Sequence, residues 1–148
     1  QTDWCMEKLN KRKVPAMAFF HMPPAEFKEA YEKMKLGDHT VIYEHGSIGE
    51  KDEYFGISNR PPHFFEKAVD NGWLKWIFCG HDHLNTLSLT YKGIRMTYGM
   101  SIDYLGYSGI AKQYIQRGAT LITRKTNGNI DITMVPLTTV VSTRVRGA

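Results

Sequence analysis

Two short apolar runs, Ala16 to Phe20 and Leu74 to Cys79, each end within two residues of a histidine. Runs of this length are too short for a helix and suit buried strands. The first ends in His21-Met22-Pro23 and the second in Gly80-His81-Asp82-His83. Ahead of the first run, Trp4, Met6 and Leu9 lie among charges as on a short amphipathic helix, stopped by Lys11 to Lys13 and Pro15. Ahead of the second, Pro61 and Pro62 open a helix that runs to about Asn71 and is closed by Gly72. Two helix-then-strand units, each finishing in a histidine-bearing loop, predict an α/β sheet with loops gathered at its carboxyl edge.

Between these units, Pro24 to Lys35 carries Phe27, Ala30, Tyr31 and Met34 on one face and predicts a helix ended by Gly37. Residues 38–60 lack periodicity and read as a long loop with little regular structure. Leu87 to Tyr91 and Ile94 to Tyr98 predict strands around a Lys92-Gly93 turn. Residues 99–117 are rich in Gly and Tyr and irregular. Ala119 to Lys125 and Ile130 to Val135 flank Asn127-Gly128, a strong hairpin signal, and the chain from Val140 reads as a frayed tail.

With 148 residues, 42% hydrophobic and 23% charged, the chain can fill one modest core. It lacks the roughly 18 consecutive apolar residues of a membrane span and is too apolar for a disordered segment. The net charge of +4 is small, and much of it sits at Lys11, Arg12 and Lys13 and at Arg144 and Arg146 near the two ends. That placement argues for solvated termini over a nucleic-acid groove. Cys5 and Cys79 allow one bridge. The chain opens on Gln1 in what reads as a helix already under way, as expected of a cut chain whose targeting segment, if any, lay upstream.

A histidine held at the end of a stiff strand can keep a ligand still. In extended chain the spacing of His81 and His83 turns both imidazoles to one side and leaves Asp82 to point away or reach a supporting partner. Gly80 frees the backbone for close approach, and Asn85 is placed to support the His83 loop. Neutral imidazoles suit Zn, Fe, Mn and similar ions. One such histidine is commonly a turn residue; two blocks at one sheet edge point to a metal site.

The block Gly80-His81-Asp82-His83 resembles the Gly-His-x-His block of the calcineurin-like metallophosphoesterases, and Phe20-His21-Met22-Pro23 resembles their preceding histidine block. Gly49 to Phe65, with Asn59 before the helix, and the Tyr98-Gly99, Gly106-Tyr107 and Arg117-Gly118-Ala119 segments are similar to the branch that holds purple acid phosphatases and yeast-type Dcr2 phosphatases. The likeness runs from about Val14 to Leu137. It implies half of a four-layer α/β/β/α sandwich with a mixed sheet and a C-terminal antiparallel hairpin. It implies two divalent or trivalent ions (Fe, Zn, Mn or similar), with His21 and His81 on one and His83 on the other. In that family the ions clamp a phosphorylated substrate while water or hydroxide attacks phosphorus in line.

The family's upstream blocks, which supply a bridging aspartate, an asparagine ligand and the catalytic histidine, have no counterpart here in the required order. Gly37-Asp38 follows the first histidine block instead of preceding it, and Gly128-Asn129 belongs to a hairpin turn. Electrostatics agrees: three neutral imidazoles cannot hold two dications close together, because nothing offsets the repulsion. The chain therefore reads as the C-terminal portion of one domain: helix-strand units over 1–85, mainly β over 86–137, and a tail over 138–148. Its expected partner is the N-terminal half, and the 148 residues alone are expected to be inactive. His45, beside Gly46, is a candidate for contacting phosphate; Arg60 and Arg117 could do so by bidentate hydrogen bonds. The competing reading is a non-catalytic module that binds a metal or a partner through its Gly/Tyr-rich face.

Overall fold

In a computed structural model, the described residues are 1–57, 63–108, 110–112 and 117–137. Helix α1 (Thr2–Arg12) leads into β1 (Ala16–Phe19), then α2 (Ala25–Lys35), β2 (Val41–His45), α3 (His63–Asn71), β3 (Leu74–Cys79), β4 (Ser88–Tyr91), β5 (Ile94–Tyr98), β6 (Gly118–Arg124) and β7 (Ile130–Pro136). The first five strands form one mixed sheet in the order β1-β3-β5-β4-β2, and β6 and β7 form a separate antiparallel pair.

Strand direction decides where chemistry can occur. β1, β3 and β5 run parallel, and β4 is antiparallel to both β5 and β2. β2 therefore points the same way as β5, and the loops leaving β1, β2, β3 and β5 all emerge at one edge. The segments after Phe19, His45, Cys79 and Tyr98 are thus neighbours in space while far apart in sequence.

One sheet face packs on the helices. Ile77, Leu89, Met96 and Tyr98 meet Phe27 and Ala30 of α2, Phe65 and Ala68 of α3, and Met6 of α1 in one buried cluster. Phe27 stacks on Tyr98 at 4.9 Å between ring centroids, and Phe65 stacks on Tyr91 at 6.2 Å. Strand residues of opposite parity face the hairpin: Phe78 shares an apolar groove with Thr120 and Ile122, and Trp76 and Arg95 share a cleft with the Asn127–Asn129 turn.

The turn chemistry is local and matches expectation. Lys92 and Gly93 both have positive φ, 48° and 78°, as a two-residue hairpin between right-twisted strands requires. The Asn127-Gly128 turn joins β6 to β7, and the helices end where Gly37 and Gly72 stand.

Three expectations are corrected. The segment 38–60 is not an irregular loop throughout: Val41–His45 is an edge strand paired to β4, and Lys51–Glu53 is a short 3-10 turn. β1 is not fully buried: it is the opposite edge strand, and Phe19 is 65% exposed. Cys5 and Cys79 are both free thiols. The expected start of α3 at Pro61-Pro62 and the tail from Val140 lie outside the described residues.

Because Phe27 is fully buried between α2 and the sheet, Phe27→Ala leaves a cavity at the centre of the core. We expect a loss of about 3–5 kcal/mol in denaturant unfolding.

Candidate functional site

The histidine blocks meet at the carboxyl edge because β1 and β3 are adjacent and parallel. Phe19 pairs with Phe78 at the strand ends. Beyond them the Phe20 N–H donates to the Phe78 carbonyl at 2.9 Å, and the Gly80 N–H donates to the His21 carbonyl at 3.0 Å. This ladder extension brings His21 Nε2 within 3.2 Å of His81 Nδ1, with the rings crossed at 82°. Two nitrogens on one tetrahedral zinc, each at about 2.0–2.1 Å, lie about 3.3 Å apart. Without an ion the two nitrogens are at hydrogen-bond distance, the tautomers deciding which one donates, and the same separation would let both hold one ion.

His83 is placed differently. The chain after β3 is bent, not extended: His81 has φ of 70°, a left-handed conformation that costs an L-residue about 1–2 kcal/mol. That turn removes the extended backbone on which the same-side reading of the His81-x-His83 spacing rested. His83 Nδ1 instead lies 2.7 Å from Asp103 Oδ2, and the ring is about one-third exposed. Among the described residues, no group of three or more His, Cys, Asp or Glu side chains is arranged to hold an ion.

Asp82 points inward. It is buried, and its carboxylate accepts the Gly56 N–H at 3.1 and 2.9 Å and the Tyr98 hydroxyl at 2.5 Å. Burial and the hydrogen bond to Asp82 push the Tyr98 hydroxyl pKa well up, so Tyr98 remains the donor. Asn85 is also fully buried. Its Oδ1 accepts the Gly49 and Glu50 N–H groups at 3.0 and 3.1 Å, and its amide donates to the Tyr54 carbonyl at 3.1 Å. Glu50 then accepts the Leu84 N–H at 3.0 Å and the Tyr107 hydroxyl at 2.8 Å. Burial and that carboxylate push Tyr107 up to about 12.

The glycine that lets backbone approach the site is not Gly80. A methyl added at Gly80 would meet the His21 carbonyl at an ordinary 3.9 Å. At Gly56 it would overlap the His81 ring and the Asp82 carboxylate, and at Gly106 it would overlap the His83 ring and Asp103. Gly106 enters the sequence reading only through the Gly106-Tyr107 segment, and nothing local shows that either position must lack a side chain. Asp103 was equally hidden, although an Asp three residues before Gly106 is the composition of a side-chain-capped turn. Its Oδ1 accepts the Leu105 N–H at 2.9 Å and its Oδ2 the Gly106 N–H at 2.6 Å.

The remaining candidates scatter. His45 ends β2 opposite Ser88, and its buried Nε2 has no hydrogen-bond partner among the described residues. Burial first, then the Arg95 guanidinium, holds its imidazole below the usual value. Arg117 is 1% exposed; it donates to the Asp103 carbonyl at 2.7 Å and to the Ile110 carbonyl at 3.2 Å, which makes it a structural anchor and not a free phosphate clamp. Asn59 and Arg60 lie outside the described residues. His39 and His63 are exposed and away from these contacts.

Three proteins of Arabidopsis thaliana are similar to this chain. Probable inactive purple acid phosphatase 14 is 38% identical over 96 residues, 65% of this chain and 21% of that protein. Probable inactive purple acid phosphatase 28 is 32% identical over 93 residues, 63% of this chain and 20% of the relative. Probable inactive purple acid phosphatase 29 is 28% identical over 93 residues, 63% of this chain and 21% of the relative. The matched segment thus spans about a fifth of each curated relative. No family model and no solved structure matches. The similarities support a relationship to the metallophosphoesterases by way of purple acid phosphatase-like proteins.

Two outcomes follow from the geometry. Gly56→Ala forces the His81 ring or the 46–57 loop to move; we expect a lowered Tm and displaced His81 imidazole resonances, while Gly99→Ala, whose added methyl would sit 3.6 Å from the Cys79 carbonyl, changes both little. The depressed His45 pKa means that the unfolded chain takes up this proton at a higher pH than the folded one. The stability it contributes is complete above the ordinary imidazole value of about 6.5 and is lost as pH falls through the folded value. Thermal melts across that range should show the decline, and His45→Gln should remove His45's share of it.

Proposed function

We propose that this chain is the C-terminal, metal-binding portion of a phosphoester hydrolase completed by an N-terminal half on another polypeptide segment. The observation that carries the reading is the approach of His21 Nε2 to His81 Nδ1 at 3.2 Å, from the ends of adjacent parallel strands. In this reading His21 and His81 hold one divalent or trivalent ion, His83 offers its ring to a second, and the missing half brings the carboxylates and the catalytic histidine. When bound, such ions polarise a phosphoryl group and acidify water. The chain's own residues do the positioning. Asp82 and Asn85 fix the loop that carries His81 and His83, and the Gly80 N–H fixes the carbonyl of His21.

The surface beside the site suits the missing half. Among the described residues nothing pairs with the outer edge of β1, and Met17, Phe19, Phe20 and Met22 are exposed near it. An unpaired edge with apolar side chains favours a further strand or layer. A phosphomonoester is the favoured substrate class.

The names of the relatives favour a second reading, in which the chain is a non-catalytic module that keeps a metal or a partner surface without turnover. Metal analysis and turnover separate the two. We expect the 148-residue chain to bind Zn2+ or Co2+, with His21→Ala or His81→Ala each weakening binding at least tenfold. It should release phosphate from p-nitrophenyl phosphate only after the upstream half is added. Strong hydrolysis by the chain alone would defeat the half-site reading. Absence of metal in the assembled protein, with partner binding retained, would establish the module instead.

A further inference from the structure

We infer that Asp103 is a positioning residue that locks His83 in its Nδ1–H tautomer, so that Nε2 is the nitrogen left free to meet an electrophile or ion. The inference rests on the hydrolase reading for its use, though not for its geometry.

Asp103 is held from several sides. Its own N–H donates to Ser101 Oγ at 3.0 Å, its carbonyl accepts from the buried Arg117, and its carboxylate receives the Leu105 and Gly106 N–H groups. Backbone N–H donors point at both carboxylate oxygens, so Asp103 faces His83 as an acceptor. Its partner at 2.7 Å, His83 Nδ1, must therefore carry the hydrogen. In a neutral imidazole the lone pair then belongs to Nε2. Gly106 keeps this arrangement tight, because any side chain there would intrude between the ring and the carboxylate. The Arg117 guanidinium lies 5.1 Å from the centroid of the Tyr104 ring and braces the same turn. Carboxylates behind metal-ligating histidines fix ring orientation and raise ligand basicity in this way.

The two histidines of the block consequently present different nitrogens: His81 offers Nδ1 toward His21, and His83 offers Nε2. Asp103 is twenty residues from His83 in sequence, in the irregular stretch after β5, which gives that stretch a defined task.

The test is tautomer-resolved NMR of the metal-free chain. Long-range proton–nitrogen correlations of the His83 ring, recorded well above an imidazole pKa of about 6.5, should show Nδ1 protonated and Nε2 bare. Asp103→Ala should move the ring toward the Nε2–H form. Zn2+ binding in the assembled protein should weaken about 10–100-fold in Asp103→Ala. A wild-type ring protonated at Nε2, or a tautomer unchanged in Asp103→Ala, would overturn the assignment whatever the metal does. The expected tautomers with no Zn2+ bound by the assembled protein would uphold the lock and remove the hydrolase reading alone.

Discussion

The buried carboxylate of Asp82 is the contact on which the carboxyl edge of the sheet depends. A charge taken from water is tolerable only when hydrogen-bonded, and Asp82 meets that condition by drawing in donors from two other segments. The Gly56 N–H comes from the loop after β2, and the Tyr98 hydroxyl comes from the end of β5. Asp82 itself follows β3, so one side chain ties together three of the four loops that emerge at this edge. Tyr98 is in turn stacked on Phe27, which links the polar knot to the centre of the apolar core. Loss of either partner would strand a buried charge, so the knot and the core support each other.

Around that knot, other polar side chains extend the order outward. Asn85 takes two backbone donors from the 46–57 loop and returns its amide to Tyr54, while Glu50 reaches back to Leu84 and across to Tyr107. Loops usually leave backbone groups to water; here side chains satisfy them, which restricts the loop carrying His81 and His83. The left-handed backbone at His81 is held in this setting. Its strain is offset by contacts on both sides of it, the Gly80 ladder bond and the Asp82 knot.

The elements legible in the sequence are those set by local rules. Apolar runs marked β1 and β3, helical spacing marked α2, and Lys92-Gly93 and Asn127-Gly128 marked turns that each need a positive φ. β2 was not legible because an edge strand owes its form to its neighbour: Ile42 and Tyr43 are exposed, and only pairing with Thr90 and Leu89 makes the segment a strand. The approach of the two histidine blocks followed from parallel strands alone. The fate of His83 did not, because it depends on one dihedral at His81 and on an aspartate twenty residues away. The need for glycine at 56, and at 106 against the His83 ring, is not legible for the same reason: the side chains in the way come from segments remote in sequence.

Asp82, Asp103 and Glu50 are carboxylates of the loops around the histidines, and each already serves a structural donor set. Asp82 holds Gly56 and Tyr98, Asp103 holds Leu105, Gly106 and His83, and Glu50 holds Leu84 and Tyr107. Recruiting any of them to bridge two cations would strip donors from the loops that aim the imidazoles. Neutral imidazoles can bind one ion, but a second dication a few ångströms away raises a repulsion that only added negative charge relieves. These carboxylates are therefore committed to holding the loops that carry the imidazoles, and in the proposed hydrolase the task of neutralising charge falls to carboxylates from the other half.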